Sequence, residues 1–171
     1  MLIDYYILDL KEKKIYLSEW VKNDSFVEGL DNIENINIIK NKDHTKTINI
    51  KLKGKDNIIT IELDKYNRII KYINDNIIII KNNFMYRNKT IKELKLKNTI
   101  FIGNYFLNNN NSLEELTLEN VEIIKDAFME HNKSLKELNA PNLKESGYLF
   151  LEDNEYINKN LRVRKWKKKN Y

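Results

Sequence analysis

The chain of 171 residues has no cysteine, one proline, four glycines and two histidines. Without cysteine there is no disulfide framework and no thiolate site for zinc or redox chemistry. The glycines, at positions 29, 54, 103 and 147, are too scattered for a phosphate-cradling loop of the dinucleotide or P-loop kind. His44 lies in the polar stretch NKDHTK, far in sequence from His131, so the two give no metal-ligand spacing. Five serines add no triad that can be argued from these residue types. The inventory predicts a non-enzyme without a cofactor or metal.

Long apolar runs are also missing. The longest uninterrupted aliphatic run is Ile77 to Ile80, far short of the roughly 20 residues of a membrane span. The amino terminus, MLIDYYILDLKEKK, carries Asp4 and Asp9 where an export signal needs a basic start and an unbroken apolar stretch. Together these predict a cytoplasmic protein that does not engage a membrane. If it is encoded by a phage, the compartment is the host cytoplasm.

What is plentiful is Ile (25), Asn (27) and Lys (26), against two alanines. That bias is the one an AT-rich coding sequence imposes, as in a low-GC bacterium, its phage or an AT-rich protist. An apolar share of 42% is enough for a core. The net charge of +5 is unevenly spread: Arg162, Arg164, Lys165, Lys167, Lys168 and Lys169 fall in residues 161–171 with no acid, and removing those six leaves −1 for residues 1–160. Basicity belongs to a tail, and like-charge runs are solvated ends or interaction arms.

A 22-residue period runs through the second half and is marked by Phe84, Phe106, Phe128 and Phe150. Seven residues beyond each stand Ile91, Leu113, Leu135 and Ile157; ten beyond stand Leu94, Leu116 and Leu138; twelve beyond stand Leu96, Leu118 and Ala140. Asn88, Asn110, Asn132 and Asn154 keep step, as do Asn98, Asn120 and Asn142. The spacing Leu-x-x-Leu-x-Leu, as in SLEELTLEN, is that of a short strand in which Leu116 and Leu118 share a face. Stacked parallel copies would bury that face. Val121, Ile124, Ala127 and Phe128 make the return of each unit, with the phenylalanines stacked as a spine. Asparagine at matched turns bonds locally to backbone and tolerates left-handed conformations. His131, in the column of Asn109 and Asp153, reads as a turn substitution.

On these residues the stretch 102–154 resembles the leucine-rich-repeat superfamily, and specifically its bacterial BspA-like subfamily. Ile102-Gly103 and Pro141-Asn142-Leu143 match the subfamily's Ile-Gly step and Pro-Asn directly, while Lys125 stands where one copy would have glycine. The resemblance spans about residues 84–157 and implies a solenoid used as a binding scaffold, with partners that vary between members.

The fold class expected is therefore an α/β or mainly-β solenoid, a short leucine-rich-repeat array with a parallel sheet at 66–160, capped by a β-rich region at 1–65. A degraded opening repeat near 62–83 aligns Ile69, Tyr72, Asn76, Ile77 and Ile80, with Asn74 replacing an apolar strand residue. TINIKLKGKDNIITIELD alternates Ile48, Ile50, Leu52 with Ile59, Ile61, Leu63 around Gly54, a hairpin pattern. YYILDLKEKKIYL reads as a second, shorter pair. Phe26, Ile33, Ile36 and Ile38 show the repeat's offsets once more, out of phase with the period. Leu161 and Val163 read as a closing strand, and residues 161–171 as that strand plus a basic tail; terminal repeats need such covers.

The surface left to carry function is the sheet face, formed by Glu93, Lys95, Lys97, Glu115, Thr117, Glu119, Glu137 and Asn139. Glu93, Glu115 and Glu137 share a column at the ~4.8 Å spacing of neighbouring strands, and like charges so placed are mildly destabilising unless neutralised. Lys92, Lys95 and Lys136 are placed to screen it. A second surface is the tail, where Trp166 lies among Arg162, Arg164, Lys165, Lys167, Lys168 and Lys169, a mixture suited to nucleic acid or a ribonucleoprotein. The leading functional expectation is a non-catalytic scaffold that binds a protein partner through its repeats. The alternative is an inhibitor encoded by a phage or mobile element that blocks a nucleic-acid-processing defence complex, in the manner of an anti-CRISPR protein.

Overall fold

The computed structural model describes residues 32–157 and, outside them, the main chain of five short strands. Three of those strands open the chain: β1 (Leu8–Asp9), β2 (Lys14–Tyr16) and β3 (Phe26–Val27), an antiparallel sheet in that order. An antiparallel meander follows, from β4 (Ile33–Lys40) through β5 (Lys46–Leu52) and β6 (Ile58–Leu63) to β7 (Ile69–Ile73). Period-two alternation puts Ile48, Ile50, Ile59 and Ile61 inward, where they are buried, in the pairs Ile48↔Ile61 and Ile50↔Ile59. The hairpin expected from the sequence is thus present, and so is the first short pair, β1 with β2.

From β7 the chain becomes a mainly-β solenoid of about three turns, of the two arms left open by the sequence. Among the described residues there is no α-helix. Strands alternate between two sides: β8 (Ile79–Ile80), β9 (Glu93–Lys95), β10 (Phe101–Ile102), β11 (Glu115–Thr117), β12 (Ile123–Ile124), β13 (Glu137–Ala140) and β14 (Glu145–Ser146), then β15 (Leu161–Val163) and β16 (Lys167–Lys168). The first side joins β9 to β7 in parallel, Tyr72↔Leu94, so the meander and the first coil share one sheet. It resumes as β11-β13-β15, with Leu116↔Leu138 and then Leu138↔Leu161. The second side is β8-β10-β12-β14-β16, every step advancing 22 residues, as in Ile80↔Ile102 and Ile102↔Ile124. Leu161–Val163 is the closing strand of the first side as expected. The segment read as tail beyond it holds a further strand, because Lys167↔Glu145 and Lys168↔Ser146 continue the second side.

The inward columns are those the period marked. Ile91, Leu113 and Leu135, Leu94, Leu116 and Leu138, and Leu96, Leu118 and Ala140 are all buried in one continuous core with the meander's isoleucines. The phenylalanines stack as expected: Phe84–Phe106, Phe106–Phe128 and Phe128–Phe150 have centroids 5.3, 5.2 and 5.3 Å apart and planes within 14° of parallel. Tyr72 ends the spine edge-on to Phe84 at 5.8 Å. In the degraded opening repeat, Asn74 is buried because its Nδ2 donates to the Tyr72 hydroxyl at 2.9 Å and its Oδ1 accepts from Asn76 N–H at 3.1 Å. Burial holds the Tyr72 phenol neutral far above its usual range.

A third side, residues 83–87, 105–109, 127–131 and 149–153 between each second-side strand and the next first-side strand, departs from the expectation of asparagine turns in left-handed conformation. The left-handed residues recur every 22 as Asn83, Met85 and Arg87; Tyr105, Leu107 and Asn109; Ala127, Met129 and His131; and Leu149, Leu151 and Asp153. All twelve carry a Cβ, which makes this conformation costly, about 1–2 kcal/mol each. Hydrogen bonds between coils impose it: alternate N–H groups point up and down the stack, Tyr105 to Asp126 C=O (2.9 Å) and Leu107 to Phe84 C=O (2.9 Å), then Ala127 to Tyr148 C=O (2.8 Å) and Met129 to Phe106 C=O (2.8 Å). The column Asn88, Asn110, Asn132 and Asn154 instead works through its amides. Asn88 Oδ1 accepts from Ile91 N–H (2.9 Å), and Asn132 Nδ2 donates to Leu107 C=O (2.8 Å). Asn98, Asn120 and Asn142 each reach back one coil, to the carbonyls of Asp75, Lys97 and Glu119 at 2.7–2.8 Å.

The repeat-like offsets of Phe26, Ile33, Ile36 and Ile38 do not mark a coil. Phe26 lies in β3, antiparallel to β2, and Ile33, Ile36 and Ile38 lie in β4, antiparallel to β5. Gly103 and Gly147 are needed for close approach of coils, since a Cβ would lie 2.6–2.8 Å from Asn82 and Lys81 in one case and 2.3–2.6 Å from Asp126 and Lys125 in the other.

Candidate functional site

Alternation along the first side turns Glu93 and Lys95 of β9, Glu115 and Thr117 of β11, and Glu137 and Asn139 of β13 away from the core, flanking the buried Leu94, Leu116 and Leu138. Glu115 and Glu137 are direct neighbours across the ladder, as are Thr117 and Asn139. Lys97 and Glu119 are exposed but stand in the turns two residues past their strands, so they border this face instead of lying on it. There the Lys97 N–H donates to Asp75 Oδ1 at 2.9 Å.

The glutamate column is not uniform. Glu93 sits beside Lys71 of β7, with Oε2 3.1 Å from its ammonium and Oε1 2.7 Å from that of Lys95. Lys71 also reaches Glu62 at 3.1 Å, which extends the alternation of charges across three strands, β6, β7 and β9. The Lys95 hydrogen bond, with help from Lys71, holds the Glu93 carboxyl below the usual glutamate range, and the Glu62 and Glu93 bonds raise the Lys71 ammonium. Of the screening lysines expected, only Lys95 reaches the column. Lys136 pairs with Glu114 at 2.6 Å, and Lys92 makes no ion pair among the described residues. Lys71 was missed because only the parallel register of β7 and β9 brings it to Glu93. Glu115 and Glu119 have no ion-pair partner among the described residues.

The outward face continues onto the meander. Asn37, Asn49 and Thr60 form one cross-strand row, and Asn35 and Lys51 begin the next. These residues and Ile58 line a shallow depression of about 340 Å³. Thr60 Oγ1 donates to Asn49 Oδ1 at 3.0 Å, and the Lys51 ammonium folds back onto the carbonyl of Asp56 at 3.2 Å, so the depression presents amides and a hydroxyl. The polar half of the hairpin's alternation was the sequence signal for it.

Of the tail residues, Arg162 lies on β15 opposite Asn139, and Lys167 and Lys168 lie on β16. Arg164, Lys165, Trp166 and Lys169 lie outside the described residues. His131 sits at a left-handed turn position, as its column implied, with Nδ1 2.8 Å from Asp153 Oδ2 and Nε2 3.5 Å from Glu130 Oε1. Among the described residues no group of three or more metal-ligating side chains converges, and no helix is long and apolar enough to cross a membrane. No family model matches the chain, and neither a curated protein nor a solved structure matches it.

Proposed function

We propose that the chain is a non-catalytic scaffold of the leucine-rich-repeat kind, akin to the BspA-like subfamily, that binds a protein partner through the outward face of its first side. The observation that supports this is the pairing of Glu115 with Glu137 on adjacent strands, next to Glu119 at the rim. The fold keeps these carboxylates in register and leaves Glu115 and Glu119 uncompensated by the described residues. The partner this favours presents lysine or arginine to Glu115 and Glu119. The scaffold's mechanism is occupancy. Side chains fixed at both ends of a ladder lose little conformational entropy on docking, so a few columns supply a specific surface.

The test is affinity capture of a partner from an AT-rich host's lysate with the wild-type chain and with Glu115→Lys/Glu119→Lys. Both positions are exposed, so the variant keeps its fold, checked by an unchanged melting curve. Loss of capture by the variant is the expected result. Equal capture by both proteins would move the binding surface elsewhere and remove this reading.

A further inference from the structure

The end of the first side is an open strand edge. β4 pairs with β5 on one flank only, and its ladder parity is fixed from both ends: Asn41 N–H bonds to Thr45 C=O at 2.9 Å, and Lys53 N–H bonds to Asn32 C=O at 2.6 Å. In an antiparallel pair the hydrogen-bonded residues alternate. Asn35, Asn37 and Ile39 therefore bond to β5, and Ile36, Ile38 and Lys40 aim their N–H and C=O groups off the sheet. Those groups make no hydrogen bond among the described residues. The stretch Asn35–Ile39 is uncharged, free of glycine and proline, and three-fifths isoleucine. Natural edges are usually blunted by charge, proline or shortness, and this one is eight residues long.

We propose that β4 is a self-association edge, at which two copies of this chain pair antiparallel about a two-fold axis and join their five-stranded sheets into one. The strand is its own complement. Setting Ile36 of one copy against Ile38 of the second places Asn37 against Asn37 at the axis. Each Ile36–Ile38 pair then exchanges both main-chain hydrogen bonds. The same register brings Lys40 of each copy level with Glu34 of the other, and neither residue has an ion-pair partner among the described residues. On the core side, Ile36 and Ile38 are only partly buried and pack at the edge of the hydrophobic cluster, so a second copy's isoleucines complete their cover. Among the described strands none lies beyond β4 in its sheet, the second side starts only at β8, and the coils of the two copies extend in opposite directions. A single strand pair buries less than the ~1,200–2,000 Å² of a stable interface, so association is concentration-dependent.

Sedimentation of the full chain across a concentration series tests this. The weight-average mass should rise toward twice that of the monomer. Ile38→Pro removes an outward N–H that β5 does not use, a substitution edge strands tolerate, and should hold the chain monomeric. Glu34→Lys should weaken association roughly tenfold by setting like charges opposite each other, and Glu34→Lys/Lys40→Glu should restore it. The exposed charge variants decide the matter even if the proline variant fails to fold. A monomer at every concentration, or a dimer indifferent to Glu34→Lys, overturns the proposal. So does slow amide exchange of Ile36, Ile38 and Lys40 in dilute solution, which would mean that another segment of the chain already covers the edge.

Discussion

In the antiparallel meander Ile50 of β5 pairs with Ile59 of β6, across a tight turn around Gly54. In the coils Leu116 pairs with Leu138, and every inward residue meets its counterpart one full coil later. The meander is therefore specified by alternation within a strand and by one turn, whereas the coils are specified by columns that repeat across strands too short to alternate convincingly. The difference shows in what each region tolerates. A meander strand has neighbours made by local hairpins, while a coil depends on the coil on either side, so a defect in one column propagates along the stack.

The largest expected contrast lies in the aromatic spine. Phe128 stacks on Phe106 and Phe150, so Phe128→Ala should cost about 3–5 kcal/mol, while Ile50→Val in the meander should cost about 0.5–1.5 kcal/mol; urea unfolding of both variants measures the difference. Glycines sharpen the comparison next. Gly103→Ala drives a Cβ into Asn82 and Lys81, an overpacking of about 1–3 kcal/mol. Gly54→Ala meets nothing within 4 Å and pays only for its φ of +68°, about 1–2 kcal/mol. Two of the three atoms that a Cβ at position 103 meets are backbone, the Asn82 nitrogen and the Lys81 carbonyl carbon at 2.8 Å, so trimming the Asn82 side chain should leave most of the first cost in place.

A smaller effect separates two alanines of the coils. Ala127 is left-handed and Ala140 lies in a strand. Ala127→Gly removes the left-handed penalty that Ala140→Gly does not have, so its melting temperature should be the higher, by about 1–2 kcal/mol of stability. The smallest effect is electrostatic. The Glu93 carboxyl is depressed on folding by Lys95 and Lys71, so its stabilisation is present above the unfolded glutamate value and is lost as pH falls through the lower folded value. A pH titration of stability should therefore fall less steeply on the acid side for Glu93→Gln than for wild type.

Much of this contrast was legible in the residues. The spacing of Phe84, Phe106, Phe128 and Phe150 gave the coil length, and the leucine columns gave the inward face, because both are set by what must be buried. The hairpin of Ile48 to Leu63 was legible because a half-buried strand repeats every two residues. The third side was not, since its left-handed backbone is imposed by hydrogen bonds between coils on residues as different as Ala127, Met129, Tyr105 and Leu151. Nor were the partners of Glu93, which depend on the strand that joins the two regions. The offsets of Phe26, Ile33, Ile36 and Ile38, out of phase with the period, fall in antiparallel strands, because spacing alone does not distinguish a coil from such a strand.

The central claim is that the coils are equivalent 22-residue units stacked in register on one meander. Excising residues 104–125 would join Gly103 to Asp126, which occupies the column of Asn104, and would set Phe84 against Phe128. Circular dichroism and thermal unfolding of that variant should show a shorter β-solenoid that still melts cooperatively, while excising 106–125, two residues fewer, should leave a chain without a cooperative transition. Equal behaviour of the two deletions would contradict the account.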